Sequence, residues 1–275
     1  MLRQSVYSTL AVLAAAAMAT VTVGTADAGE APAGAHAGPP YNYTTELMGG
    51  GGTAVPMKNS LMLGKTKHGY QFRTGQQDSH LVVKVVNGGI SFRDTGTQSI
   101  KRLSAACDRK KVRRGVAAVC RVPGSVTVKS PLLVEVWPRL GNDFTDASSL
   151  PATIAMTVLG DKGHDVARFG AGDDFFNGFS GRDVVRGGAG NDWIRSGLDN
   201  DAVKGGAGND DIVAVEGRDR VRGGSGDDRL WSGDGDDRLW GNAGADFVMC
   251  GNGRDSATAD QPDRIASSCE SVERR

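Results

Sequence analysis

The sequence lacks the short motifs of common enzymes and zinc sites. It contains no H-E-x-x-H and no G-x-S-x-G, and its four cysteines form no C-x-x-C pair. The four histidines, at positions 36, 68, 80 and 164, are not spaced as metal ligands. We therefore expect a protein that is not an enzyme. The alternative, a catalytic part within residues 41–150, would need a cluster of polar side chains that the sequence does not show.

Net charge is also lacking, but the two parts of the chain differ. Residues 1–159 contain 17 basic and 9 acidic residues, whereas residues 160–275 contain 15 basic and 23 acidic residues, 20 of them Asp. Aspartate together with glycine is typical of turns rather than helices. The acidic part therefore favours cations as partners, and we expect no binding of nucleic acid.

Long apolar segments are scarce, and the C-terminus is polar. The stretch from Leu10 to Val23 follows Arg3 and precedes the small residues Ala26 to Ala28. This order is typical of a cleavable signal peptide, which we assign to residues 1–28. The alternative, a membrane anchor, is disfavoured because the stretch is short for a bilayer. We therefore expect a secreted, extracellular protein with no membrane association.

Cysteine is rare as well, and four cysteines in an exported chain predict two disulfides. Three connectivities are possible. We favour the pairs Cys107–Cys120 and Cys250–Cys269 because each pair lies within one region of the chain. A free or mispaired thiol is the alternative for the second pair.

What the sequence does contain is a repeat of nine residues, with eleven units filling residues 160–258. The fourth position is glycine in ten units, Asp199 being the exception, and the eighth is always apolar, from Ala167 to Ala257. The sixth position is aspartate in every unit: Asp165, Asp174, Asp183, Asp192, Asp201, Asp210, Asp219, Asp228, Asp237, Asp246 and Asp255.

The spacing indicates a turn followed by a short strand in each unit. Glycines permit positive φ, and the middle residue of the strand points into a core while its neighbours face solvent. Two units close one coil of eighteen residues, so odd units stack in one sheet and even units in the other. The fold class predicted is all-β: a right-handed parallel β-roll preceded by a small antiparallel β region. A disordered Gly/Asp linker would not need an apolar residue at every ninth position.

Units such as "GGAGNDWIR", "GGAGNDDIV" and "GGSGDDRLW" resemble the RTX (hemolysin-type) calcium-binding repeat family over residues 160–258. The N-terminal signal makes the layout similar to that of secreted calcium-binding proteins from actinobacteria. The resemblance implies Ca²⁺ ions between successive coils, held by the sixth-position aspartates and backbone carbonyls. Four aspartate pairs in even units and five in odd units would allow at most nine ions.

The two columns of aspartates are not expected to be equal. Each even unit keeps at least one glycine in its first two positions, whereas Asp199 and the pair Ala214–Val215 depart most from the pattern in odd units. We therefore predict full calcium binding in the even column and partial binding in the odd column, with an arginine guanidinium replacing an ion near unit seven. Because stacked carboxylates repel one another, we expect the repeats to be largely disordered without calcium.

Outside the repeats the sequence predicts four further parts. Residues 1–28 are the signal peptide, 29–69 a flexible linker, 70–158 a small β domain and 259–275 a C-terminal cap on the roll of residues 159–258. The segment 138–146, "PRLGNDFTD", resembles a degenerate repeat unit and makes Asp143 a weak candidate ligand.

The outward face of the predicted roll carries a row of basic and aromatic side chains. Position nine of successive odd units is occupied by Arg168, Arg186, Lys204, Arg222 and Trp240. Such a row is suited to an acidic polysaccharide or cell-wall polymer, which makes a calcium-dependent adhesin the alternative function. The other interpretation is that these charges keep a monomer soluble by preventing contact between sheets.

Overall fold

The computed structural model describes residues 59–75 and 77–275. The predicted signal peptide, and the predicted linker up to residue 58, lie outside the described residues. Within those two ranges the chain forms β-strands and no helix, and therefore has no helix there that could cross a membrane. The all-β fold class is confirmed.

The N-terminal strands form the antiparallel region predicted at the start of the fold. In chain order they are β1 (Ser60–Lys65), β2 (Gly69–Thr74), β3 (His80–Val86), β4 (Gly89–Asp94), β5 (Ser99–Leu103), β6 (Cys107–Lys110) and β7 (Val116–Cys120). Antiparallel pairs join β1 with β2, β3 with β4, β4 with β7 and β6 with β7. Strand β1 lies inside the predicted linker, which was wrong there because Leu61 and Leu63 alternate into the core.

The remaining strands build a parallel β-solenoid. They are β8 (Leu132–Trp137), β9 (Phe144–Asp146), β10 (Ile154–Leu159), β11 (Val166–Arg168), β12 (Phe175–Asn177), β13 (Val184–Ala189), β14 (Trp193–Leu198), β15 (Ala202–Ala207), β16 (Asp211–Glu216), β17 (Arg220–Ser225), β18 (Arg229–Asp234), β19 (Arg238–Ala243), β20 (Phe247–Asn252), β21 (Ser256–Ala259), β22 (Arg264–Ile265) and β23 (Ser271–Arg274).

The repeat units alternate between two sheets, as predicted. Even units supply β12, β14, β16, β18 and β20 of an 11-stranded sheet, and odd units supply β11, β13, β15, β17, β19 and β21 of a 12-stranded sheet. Partners lie eighteen residues apart, as in the pairs Ile194↔Ile212 and Val203↔Val221. The parallel pairing confirms a solenoid of stacked coils, consistent with a right-handed β-roll.

The core between the sheets is a continuous apolar stripe. The eighth residue of each unit is at most 3% exposed, whereas its neighbours at positions seven and nine are mostly half-buried or exposed. Burying a side chain of this size stabilises the fold by about 1.5–3 kcal/mol. The stripe therefore explains why an aliphatic or phenylalanine side chain recurs every nine residues.

The solenoid extends beyond the eleven units at both ends. Strands β8 and β10 pair in parallel with β2 and β12, and β9 pairs in parallel with β3 and β11. The degenerate unit 138–146 is thus part of a coil, with Thr145 buried at the core position. The predicted C-terminal cap supplies β22 and β23, which pair in parallel with β20 and β21 and add a shorter coil.

Both predicted disulfides are present. Cys107 and Cys120 face each other across the β6–β7 hairpin, with their Cα atoms 3.9 Å apart. Cys250 joins Cys269, with Cα atoms 5.1 Å apart, and so links the last repeat unit to the C-terminal coil. Each bridge closes a short loop within one region of the fold.

Glycine predominates at positions two and four because the coils stack closely there. Gly206 and Gly208 have φ angles of 139° and 122°, and a β-carbon on either would lie 2.0 or 2.1 Å from a carbonyl oxygen of the preceding coil. Val215, at position two of unit seven, nevertheless has a φ of 102°. A positive φ strains the backbone of a β-branched residue such as valine.

Candidate calcium site

The repeat aspartates form two columns along the solenoid, and all eleven are buried. In both columns, Oδ1 of each carboxylate accepts a hydrogen bond from a backbone N–H one coil earlier. The donor is Met156 for Asp174 and the preceding aspartate of the column for the other ten. The Asp192 N–H donates to Asp210 Oδ1 at 2.9 Å, and the Asp183 N–H donates to Asp201 Oδ1 at 2.8 Å. This bond fixes the side chain and turns its other oxygen, Oδ2, away from the donor.

Acidic residues outside the repeats continue both columns. The Asp143 N–H donates to Asp165 Oδ1 at 2.9 Å, which places Asp143 at the start of the odd column. At the other end, Asp263 accepts from the Asp246 N–H at 3.0 Å, and Glu270 accepts from the Asp255 N–H at 2.8 Å. Sequence reasoning missed Asp263 and Glu270 because they follow their neighbours after 17 and 15 residues. The only signal available was that each half of the tail contains two acidic residues, Asp260 with Asp263 and Glu270 with Glu273.

The second carboxylate oxygens are the unusual feature of both columns. Oδ2 of Asp143 and of all eleven repeat aspartates is buried and has no hydrogen-bond partner. Burying a polar atom without a partner is unfavourable, and burying a charged one is much more so. The two columns therefore present a series of acceptor atoms that require a proton or a cation.

The electrostatics of the columns agree with this shortage of partners. Burial, together with the carboxylates of Asp174 and Asp210, raises the pKa of Asp192 to about 10. Burial likewise raises the pKa of Asp183 to about 8 and that of Asp228 to about 7, again with a contribution from neighbouring carboxylates. Without a cation, the folded columns cannot keep every carboxylate ionised at neutral pH.

A backbone oxygen lies near the unpaired carboxylate oxygen in the even column. A β-carbon on Gly187 would lie 2.1 Å from Asp192 Oδ2 and 2.6 Å from the carbonyl oxygen of Gly205. A β-carbon on Gly205 would lie 2.1 Å from Asp210 Oδ2 and 2.9 Å from the carbonyl oxygen of Gly223. The missing side chain at position one thus leaves a small cradle in which two kinds of oxygen converge.

The odd column has the same cradle only at its start. Gly160 and Gly178 keep position one open, but the later odd units have a side chain there: Ser196, Ala214, Ser232 and Cys250. The Ser196 hydroxyl opposes the rise in the pKa of Asp201, which burial brings to about 6. The two columns therefore differ in the space that they leave beside the carboxylates.

The donor set fits a hard cation. Among the residues described, no group of three or more histidine, cysteine, aspartate or glutamate side chains converges on one point. An ion between coils would therefore need backbone carbonyls in addition to paired aspartates. Calcium accepts this mixture because it takes several oxygen ligands, both carboxylate and carbonyl, in a flexible geometry.

A second, outer row of hydrogen bonds was not foreseen. Position-five side chains accept from the backbone N–H of the residue one coil later. The Asn209 N–H donates to Asn191 Oδ1 at 2.8 Å, and the Arg182 N–H donates to His164 Nδ1 at 2.8 Å. The recurrence of Asn and Asp at position five was the available signal, since these short side chains bond readily to nearby backbone.

The Arg218 guanidinium lies outside the odd column, so this arginine of unit seven does not take the place of an ion there. Position five faces outward, and the Arg218 guanidinium is exposed and lies 3.5 Å from Asp236, one coil later. Asp219, the adjacent ligand candidate, is buried at 1% exposure. The turn therefore separates the arginine from the carboxylate column.

The comparisons with known proteins agree with this geometry. A family model described as the RTX calcium-binding nonapeptide repeat (4 copies) matches residues 177–212 and 213–257. No curated protein and no solved structure matches the chain. The units before residue 177 share the same ladder of aspartates. Over residues 177–257, the chain therefore consists of RTX calcium-binding nonapeptide repeats.

Proposed function

We propose that this is a secreted, non-enzymatic protein whose β-roll folds by binding Ca²⁺ between its coils. The observation that carries the proposal is the series of buried carboxylate oxygens without hydrogen-bond partners. A divalent cation between neighbouring aspartates supplies both the missing contact and the missing charge. Its binding free energy then becomes folding free energy.

Each residue type in the site has its own part in holding the ion. The sixth-position aspartates present Oδ2, and the hydrogen bond at Oδ1 orients them before the ion arrives. Glycine at position one keeps the neighbouring carbonyl accessible, as at Gly187 and Gly205. Because only the even column keeps this glycine in four successive units, from Gly187 to Gly241, it is the stronger candidate for full occupancy.

The proposed export of the protein rests on the sequence of residues 1–28 and on the two disulfides. Disulfides persist outside the cytosol, where calcium is also abundant. A chain that orders only with calcium would remain unfolded in the cell and fold after export. The absence of catalytic motifs from the sequence supports a role in binding rather than in catalysis.

Calorimetric titration of the mature protein with calcium, combined with circular dichroism in chelator, tests the proposal. We expect several ions per chain, with dissociation constants of roughly 10⁻⁶ to 10⁻³ M, and loss of most of the β spectrum in chelator. A full β spectrum in chelator would contradict folding on calcium. If a folded sample showed no heat of calcium binding in the titration, the metal site itself would be contradicted.

A second candidate function is that of a calcium-dependent adhesin or polysaccharide-binding module. The observation that favours it is the exposed row Arg168, Arg186, Lys204 and Arg222 on adjacent strands of the 12-stranded sheet. A pull-down with cell-wall polymers, in the presence and absence of calcium, distinguishes this candidate from a protein that only binds calcium.

A further inference from the structure

The two outer faces of the solenoid carry very different charge, although the same repeat builds both. The odd-unit strands, from β11 to β21, contain six basic residues and no acidic residue. The even-unit strands, from β12 to β20, contain two basic and three acidic residues. A requirement for solubility alone would not place the positive charge on one face.

The cations of the odd-unit face are available to a ligand. All six are exposed: Arg168, Arg186, Lys204, Arg220, Arg222 and Arg238. Within the described part of the chain none of them forms an ion pair, whereas Arg229 on the other face lies 3.4 Å from Asp211. Arg168 is the direct partner of Asp146 on β9 and is partly neutralised by it. The positive charge on the later strands remains to attract polyanions by charge complementarity.

Position nine aligns four of these cations in a straight row. Arg168, Arg186, Lys204 and Arg222 are direct partners on adjacent parallel strands, so their Cα atoms are spaced by about 4.8 Å. An aromatic ring lies at each end. Arg168 is 5.3 Å from the Phe144 ring, and Arg222 is 4.8 Å from the Trp240 ring.

A shallow groove runs beside this row. It has a volume of about 500 Å³ and is open to solvent, and Arg168, Arg186 and Lys204 are among its lining residues. Gly188, Gly206 and Ala207, which have little or no side chain, also line it. The groove therefore combines positive charge with small residues that leave room for a ligand.

We propose that this odd-unit face binds a linear acidic polysaccharide along the row Arg168, Arg186, Lys204 and Arg222. The proposal rests on the proposed function, because the row is straight only when calcium has stacked the coils. The guanidinium and ammonium groups pair with successive anionic groups of the polymer. Trp240 ends the row, with the Arg222 guanidinium over its ring.

The geometry favours an extended polysaccharide over duplex nucleic acid. One straight row of charges with a shallow groove follows one extended chain, whereas the phosphates of a duplex wind away from a flat face. The two aromatic rings lie at opposite ends of the row, and each is in contact with an arginine guanidinium. They are therefore not arranged to stack successive bases. Duplex DNA is therefore the competing ligand to include in the test.

Binding of a size-defined heparin oligosaccharide to the calcium-saturated full chain tests the proposal, with neutral dextran and duplex DNA as the other ligands. The test variant combines Arg186→Ser, Lys204→Ser and Arg222→Ser. The control variant combines Lys162→Ser, Arg182→Ser and Arg254→Ser, which removes three exposed charges from turns of odd units. We expect affinity for heparin to fall about tenfold or more in the test variant and to change little in the control.

Equal losses in the two variants would overturn the proposal, because net charge alone would then explain the binding. Tighter binding of duplex DNA than of heparin would overturn it in favour of nucleic acid. If the triple variant fails to fold, the single variant Lys204→Glu replaces it, because it reverses the charge of one side chain in the middle of the row. Circular dichroism of the unmodified protein in chelator tests calcium-dependent folding separately, so failure of that function is distinguishable from failure of this surface.

Discussion

At the scale of single residues, the two oxygens of each column aspartate have different roles. Oδ1 is satisfied by a backbone N–H, whereas Oδ2 is buried and unsatisfied. An amide in place of the carboxylate keeps the first role, because its oxygen still accepts a hydrogen bond. It loses the second, because the NH₂ group does not bind a cation. Asparagine substitution therefore separates positioning from metal binding.

Asp210→Asn should abolish both predicted ion sites that share Asp210, one with Asp192 and one with Asp228. We expect the number of ions in a calorimetric titration to fall and the protein to need more calcium to order. The matched control is Asp227→Asn, which removes the same charge from an exposed position whose side chain accepts from the Ala245 N–H at 2.8 Å. An equal loss of calcium in both variants would refute the assignment of Asp210.

Val215→Gly should stabilise the calcium-bound protein by about 1 kcal/mol, because strain of about 1–3 kcal/mol is relieved while the unfolded chain gains freedom. Urea unfolding in excess calcium measures the change. Gly233→Ala, one coil later in the same column, is the opposite case: its φ is 93°, and its β-carbon would lie 2.0 Å from the Val215 carbonyl oxygen. If Val215→Gly destabilised the protein, the positive φ would not be a source of strain.

At the scale of elements, each repeat strand contributes one apolar side chain at position eight to the core, so a strand depends on its neighbours for a core. Ile212 in β16 is 1% exposed and lies between Ile194 and Leu230 of the adjacent strands. Such quasi-one-dimensional stacking transmits a local defect mainly to adjacent coils. A cavity at one strand therefore weakens the interfaces on both of its sides.

Ile212→Ala should lower the free energy of unfolding by about 2–5 kcal/mol, measured by urea in excess calcium. Val213→Ala is the control, since Val213 is the next residue and points outward. We expect that variant to change stability by about 0.5 kcal/mol or less. Similar effects from the two substitutions would contradict the inward assignment of position eight.

The sequence predicted the strands, sheets and aspartate columns of the repeats because one residue type recurs at one spacing. Prediction failed for segments that join the solenoid without carrying the repeat motif. Strand β10 was not foreseen because the segment 147–159 contains no Gly/Asp turn, yet Ile154, Met156 and Val158 bury the same face. Asp263 and Glu270 depend on a shorter coil, which no periodic pattern encodes.

At the scale of the whole molecule, the raised pKa values make the metal-free fold sensitive to pH. Their folded values, such as about 6 for Asp165 and about 8 for Asp183, lie above the ordinary value of 3.8. At pH values between the ordinary and the folded pKa, the fold holds more protons than the unfolded chain. The stability of the metal-free fold is therefore greatest at low pH and decreases as the pH rises through the folded pKa values.

In chelator, circular dichroism should show more β structure at about pH 5 than at about pH 8, because protonation relieves the buried negative charge. Calcium should act in the opposite direction: its affinity should rise with pH as it displaces protons. The calcium-saturated protein is the reference and should keep its spectrum between these pH values. A metal-free spectrum that gained β structure as the pH rose would contradict the electrostatic account.

The two hydrogen-bond ladders also determine how the protein can change in length. Both ladders and both sheets connect residues eighteen positions apart. Duplication or loss of eighteen residues therefore leaves every later unit in its original sheet. The solenoid becomes longer or shorter, and each face keeps the same charge. A change of nine residues would move every later unit to the opposite sheet. The basic row would then be interrupted by residues of the 11-stranded sheet, such as Trp231. Evolution of this chain by tandem duplication should therefore proceed in whole coils.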